Sequence, residues 1–144
     1  MKPQASLLDV NALIALVDSE HMHHAVLLHI LPELTRFGWG ISAVSEAGAL
    51  RILTNPRVGR YRLEEVVSTI EGLYALPRFR YWRETGAWRE IPNEIRDRIL
   101  GHQQITDAYL LAMAVSEGGV LVTFDKAIRH LAGERYKKHV VVLE

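Results

Sequence analysis

A chain of 144 residues is long enough to bury one hydrophobic core without disulfide or metal staples and too short for two ordinary domains, so residues 1–144 read as a single domain. Hydrophobic residues at 49% and charged residues at 24% exclude a disordered chain, and the absence of cysteine excludes disulfides, thiolate zinc sites and cysteine nucleophiles. With 17 Lys and Arg against 17 Asp and Glu, the whole-molecule field gives no reason to expect nucleic acid, and charge must be argued locally.

No apolar run approaches the roughly 18 residues of a membrane span, and Met1-Lys2-Pro3-Gln4 leads into a strand-like segment without a signal-peptide pattern, so a cytoplasmic product is expected. Ser6 to Val10 is a short apolar run ending in the acid Asp9, and Ala12 to Val17 reads as buried helix. His23 to Phe37 repeats apolar residues three and four apart, stops at Gly38 and carries Pro32 as a kink or boundary. Trp39 to Ser42 predicts a second strand, and Val44 to Leu53 a helix ended by Asn55-Pro56, with Glu46 in its first turn. Leu63 to Leu76 reads as helix closed at Pro77, and Phe79 to Trp82 as a half-exposed strand alternating aromatic with basic residues.

After a loop over Glu84 to Pro92, the chain predicts a short helix from Asn93 to Leu100 and an apolar helix from Asp107 to Ser116, N-capped by Thr106 and ended by Gly118-Gly119. Val120 to Thr123 is a buried strand, Asp125 opens the next helix, and Val140 to Leu143 closes the chain as a strand. Strands separated by helices imply a three-layer α/β domain with a mainly parallel sheet covered on both faces. In such sheets ligands bind beyond the carboxyl ends of the strands, where Asp9 and Asp125 both fall.

Asp9, Glu46, Asp107 and Asp125 are the candidate catalytic constellation. Taken singly, each has an ordinary structural explanation, because acids cap helices and offset helix dipoles. Gathered on one rim they repel one another, and a divalent cation resolves the conflict; oxygen-only ligation suits Mg²⁺ or Mn²⁺ and metal-assisted phosphodiester hydrolysis.

The segments Leu7-Leu8-Asp9-Val10-Asn11-Ala12-Leu13-Ile14, Ser45-Glu46-Ala47-Gly48-Ala49-Leu50-Arg51-Ile52-Leu53-Thr54-Asn55-Pro56, Gly101-His102-Gln103-Gln104-Ile105-Thr106-Asp107-Ala108-Tyr109-Leu110-Leu111-Ala112 and Thr123-Phe124-Asp125 resemble, in order and spacing, the motifs of PIN-domain ribonucleases. More narrowly they resemble VapC toxins of bacterial toxin–antitoxin pairs, over Leu7 to about Ile128. The resemblance implies a Mg²⁺ or Mn²⁺ site with Asp9 and Asp107 as metal ligands, Glu46 and Asp125 completing the acidic pocket, and Asn11 and Thr123 orienting the carboxylates. It further implies RNA cleavage by metal-activated water, inhibition by a cognate VapB-type antitoxin, and a homodimer. Lys126 stands directly after Asp125, where some such chains carry a further acid; this bears on a second metal and leaves Lys126 as a phosphate contact or a solvated helix-start lysine.

Arg51, Arg57, Arg60 and Arg62 form a run without intervening acids, a candidate RNA-backbone patch. Arg78, Arg80 and Arg83, interleaved with Phe79, Tyr81 and Trp82, suit either base stacking or, more often, a half-buried strand with snorkelling arginines. His21, His23 and His24 lack the partners of a zinc site and read as a polar helix start, and His102 as loop structure. Leu50, Ile52 and Leu53 are core or dimer surface. Two rival functions stand beside the nuclease. An aspartyl-nucleophile phosphatase commonly pairs its first acid with another two residues on, where this chain has Asn11; a PIN-like module without catalysis would not need all four acids.

Overall fold

The computed structural model describes residues 4–58, 61–83 and 86–144. Among them the chain forms, in order, β1 (Ser6–Leu8), α1 (Val10–Val17), α2 (His24–Leu34), β2 (Trp39–Ser42), α3 (Ala43–Leu53), α4 (Leu63–Leu73), β3 (Phe79–Trp82), α5 (Asn93–Arg96), α6 (Ile105–Glu117), β4 (Val120–Thr123), α7 (Ala127–Tyr136) and β5 (Val140–Val142). No helix among them is long and apolar enough to cross a membrane.

The strands form one sheet in the order β3-β2-β1-β4-β5, with every pairing parallel. Both faces are covered. Leu7 and Leu121, paired in register, point into a core shared with Leu110, Leu111, Ile128 and Leu131 of α6 and α7, whereas Leu8 and Val122, the next pair along, enter a core shared with α1, α3 and α4. A two-residue period therefore feeds both layers, and burial on both sides explains why β1 and β4, apart from Ser6 at the start of one and Thr123 at the end of the other, are built of Leu and Val. The three-layer α/β architecture with a parallel sheet is as the sequence predicts.

The chain runs outward from β1 through β2 to β3, then returns past β1 to β4 and β5. The order thus reverses between β1 and β4, and a reversal of this kind opens a crevice beyond the carboxyl ends of the two strands. Two local devices fix the helices over that crevice. Ser45 Oγ donates to the Leu8 carbonyl at 2.6 Å, tying the start of α3 to the end of β1. At Gly48 a Cβ would lie 2.6 Å from Val10 Cγ2, so α1 and α3 approach more closely there than any side chain on α3 would allow.

Several boundaries differ from the sequence expectation. The α6 helix starts at Ile105, after a 3₁₀ turn over His102–Gln104, so Thr106 lies inside it and is not its cap. Gln104 serves the junction instead, its side-chain oxygen accepting from the Leu100 N–H at 2.7 Å. Pro32 sits within α2, which runs on to Leu34: it cannot donate to the Leu28 carbonyl, and the helix ends two residues later. The helices expected over Leu63 to Leu76 and Asn93 to Leu100 end at Leu73 and Arg96.

Candidate active site

Asp9 is the residue around which the crevice is organised. It leaves the end of β1 as the N-cap of α1, its Oδ1 accepting from the Ala12 N–H at 2.7 Å and its own N–H donating to the Val122 carbonyl at 3.1 Å. Only 2% of it is exposed. The fully buried Thr123 joins the two strand ends: its hydroxyl hydrogen-bonds the Asp9 carboxylate, and its Oγ1 accepts from the Asp125 N–H at 3.0 Å. Asp125 caps the following turn, Oδ1 accepting from the Ala127 N–H at 2.9 Å, and is exposed at the crevice mouth. Asp107, half-buried in the first turn of α6, completes the set from the opposite layer.

These three aspartates feel one another. Burial pushes the Asp9 carboxyl up to about 6, with Asp125 adding repulsion against the hydrogen bonds from Thr123 and Ala12 that favour the charged form. Asp107 is pushed up to about 7, by burial first and then by the negative charges of Asp9 and Asp125. No three His, Asp or Glu side chains among the described residues stand close enough together to enclose a metal ion. The donor set nevertheless fits a hard divalent cation: every available atom is oxygen, and the strain on the carboxyls is the strain that a positive charge removes.

Glu46, expected in the same pocket, is not among the charges that act on Asp9 and Asp107. Its backbone lies in the first turn of α3, but its carboxylate accepts hydrogen bonds from the Tyr74 hydroxyl and, at 3.1 Å, from the Tyr81 hydroxyl. Two neutral donors hold it more favourably than three like-charged carboxyls would. Neither tyrosine was marked by any sequence spacing as a partner of Glu46. Asn11 is exposed, and what it offers Asp9 is its backbone N–H.

The sequence profile of the PIN domain matches residues 6–134. The chain belongs to the PIN-domain family. Three curated relatives place this PIN domain in the VapC branch: Ribonuclease VapC38 of Mycobacterium tuberculosis is 34% identical over 96% of this chain and 97% of its own length. Ribonuclease VapC39 is 32% identical over 85% of the chain and 90% of the relative, and Ribonuclease VapC44 33% identical over 85% and 87%, both also from M. tuberculosis. Among solved structures, VapBC2 from Rickettsia felis bound to a DNA fragment from the promoter shares the fold, with a TM-score of 0.61 at 12% identity over 98% of this chain and all of that one.

The basic residues of this PIN domain differ in exposure and in what they touch. Arg51, Arg57 and Lys126 are exposed, whereas Arg60 lies outside the described residues. Arg62, at the start of α4, faces Glu64 at 3.7 Å. The aromatic strand β3 is spent internally. Arg80 lies over the buried Trp82 ring at 4.4 Å and beside Glu117 at 3.7 Å, Arg83 lies over Tyr81 at 5.2 Å, and Arg78 Nε donates to the Thr35 carbonyl at 3.0 Å. The histidines are structural: His23 stacks on Phe124 at 4.4 Å, and His24 Nδ1 bonds with the Ala15 carbonyl at 2.7 Å. Leu53 is core, with Leu50 and Ile52 packed against it from partly exposed positions.

Proposed function

We propose that the protein is a metal-dependent endoribonuclease, the toxin of a VapBC-type toxin–antitoxin pair, hydrolysing RNA phosphodiester bonds. The observation that carries the reading is the convergence of Asp9, Asp107 and Asp125 from three separate elements onto one strand-end crevice, with two of the carboxyls pushed far above their ordinary value. Acids perturbed first by burial and then by one another's charge, gathered in a cleft, mark a functional site, and a cation is the partner that relieves them. Family membership and relatives named as VapC ribonucleases support the same reading.

Asp9 and Asp107 are the residues assigned to hold Mg²⁺ or Mn²⁺, with Asp125 adding negative charge at the mouth and Glu46 a fourth acid on the neighbouring helix. A bound cation supplies charge neutralisation at the phosphodiester and makes water a stronger acid at neutral pH. Thr123 keeps one face of the Asp9 carboxylate committed, so the group presents a fixed orientation to the crevice. The backbone of RNA is received by Arg51, Arg57, Arg60 and Lys126. A cognate VapB-type antitoxin and a second copy of the chain are the expected protein partners.

The test is cleavage of structured RNAs with Mg²⁺ or Mn²⁺ by the wild type and by Asp9→Asn and Asp107→Asn variants shown to be folded. Each substitution is expected to reduce cleavage by at least about a hundredfold, the scale on which loss of a charge-stabilising group is felt. Equal cleavage by all three proteins would remove the assignment.

A further inference from the structure

The Glu46 carboxylate is engaged at both oxygens: Oε2 accepts from the Tyr74 hydroxyl and Oε1 from the Tyr81 hydroxyl. The donors are not loose surface groups. Tyr74 follows directly on α4 and Tyr81 belongs to β3; their rings meet edge-on with centroids 5.8 Å apart, and Tyr74 stacks on Phe79 at 5.3 Å. The backbone under Glu46 is equally fixed, because its neighbour Ser45 is anchored to the end of β1 at the Leu8 carbonyl. The Glu46 side chain is held only by these two exchangeable hydrogen bonds among the described residues. Beside it lies an open hollow of about 280 Å³, lined by Glu46, Leu50, Val67, Ile70, Glu71 and Tyr74.

We propose that Tyr74 and Tyr81 are positioning residues forming a phenolic latch, which parks the Glu46 carboxylate away from Asp9, Asp107 and Asp125 until a divalent cation draws it inward. The inference rests on the reading of the aspartates as cation ligands. Its physical basis is a balance of charge. A fourth carboxylate brought to three others without a cation would add repulsion, whereas two neutral phenols satisfy it at no such cost. A bound divalent cation would offset most of that negative charge and offer the carboxylate a positive partner, and the phenols would then compete with it for the same group. Burial and the nearby Glu46 charge both hold the two hydroxyls in their protonated, donating form.

A latch of this kind lowers cation affinity by whatever it contributes to the parked state. Tyr74→Phe and Tyr81→Phe keep the ring packing and delete one donor each. Measured as Mn²⁺ binding by electron paramagnetic resonance without RNA, each is expected to tighten Kd by about threefold to tenfold, the discounted worth of a partly exposed hydrogen bond to a charged group. Glu46→Gln is expected to weaken Mn²⁺ binding and to make both tyrosine substitutions silent. In wild type labelled at the tyrosine ζ carbon, saturating Mg²⁺ is expected to shift the Tyr74 and Tyr81 resonances, and in Glu46→Gln to leave them in place. Folded tyrosine variants that bind Mn²⁺ no more tightly than wild type, or ζ-carbon resonances that ignore Mg²⁺, would overturn the latch and leave the aspartate reading standing. A wild type that binds no Mn²⁺, or an Asp107→Asn variant that binds it as well as wild type, would sink the aspartate reading and the latch with it.

Discussion

At the scale of single residues, Asp9 carries two duties that pull against each other. As the N-cap of α1 it needs only an oxygen acceptor for the Ala12 N–H, which asparagine supplies equally well; as a buried carboxylate it needs a positive charge. Removing the charge should therefore not unfold the protein. Its carboxyl stands at about 6 in the folded state against an ordinary 3.8, and Asp107 at about 7, so the folded protein holds protons that the unfolded chain has already released. That contribution is complete below about pH 4 and is lost as pH rises through about 6 to 7. In chelator, Asp9→Asn is accordingly expected to be more stable than wild type at pH 8, on the order of 2 kcal/mol, with the difference shrinking toward pH 5. Urea unfolding of both proteins across that range checks it, and a difference independent of pH would refute it. The positions of Asp9, Asp107 and Asp125 were legible in the sequence because strand ends and first helical turns are local features. The placement of the Glu46 side chain was not, since its partners Tyr74 and Tyr81 lie 28 and 35 residues further along the chain and meet it only in the folded state.

At the scale of elements, the crossing of α1 and α3 sets the distance between the Asp9 and Glu46 helices, and it depends on a missing side chain. Alanine at position 48 gains about 1 kcal/mol of helix propensity but meets the stiff, β-branched Val10. The cost of overpacking, about 1–3 kcal/mol, exceeds that gain, so Gly48→Ala is expected to destabilise the protein. In a Val10→Ala background the clash is gone, and the same substitution is expected to stabilise. Denaturant midpoints of the four proteins in this cycle decide the matter: a loss of equal size in both backgrounds would show that the crossing does not depend on this contact. Strands β1 and β4 were readable as residue runs because burial on two faces leaves mostly Leu and Val. Helix ends were less so. Thr106 has the chemistry of a cap, yet the turn over His102–Gln104 starts α6 earlier, and the bond from Leu100 N–H to Gln104 that stabilises this junction leaves no distinctive spacing.

At the scale of the whole molecule, a cation that binds the folded crevice and not the unfolded chain adds stability in proportion to the logarithm of its concentration, about 2.7 kcal/mol at a hundred times Kd. For a domain of this length that is a rise of several degrees in Tm with millimolar Mn²⁺, reversed by chelator and flattened in Asp107→Asn. Differential scanning fluorimetry reads it directly, and a Tm indifferent to both Mn²⁺ and chelator would count against the cation site. The layered α/β plan followed from the alternation of strands and helices, but strand order did not, because a parallel sheet can be filled in several orders that bury the same residues. That order has a consequence in time. β1 is flanked by β2 on one side and by β4 on the other, and Thr123, which holds the Asp9 carboxylate, arrives more than a hundred residues after it. A ribosome must synthesise the chain past Thr123 before Asp9 acquires the wall it works against. On the proposed nuclease reading, a nascent chain that has not yet reached Asp107, Thr123 and Asp125 holds no assembled acidic pocket, so the site forms late in synthesis.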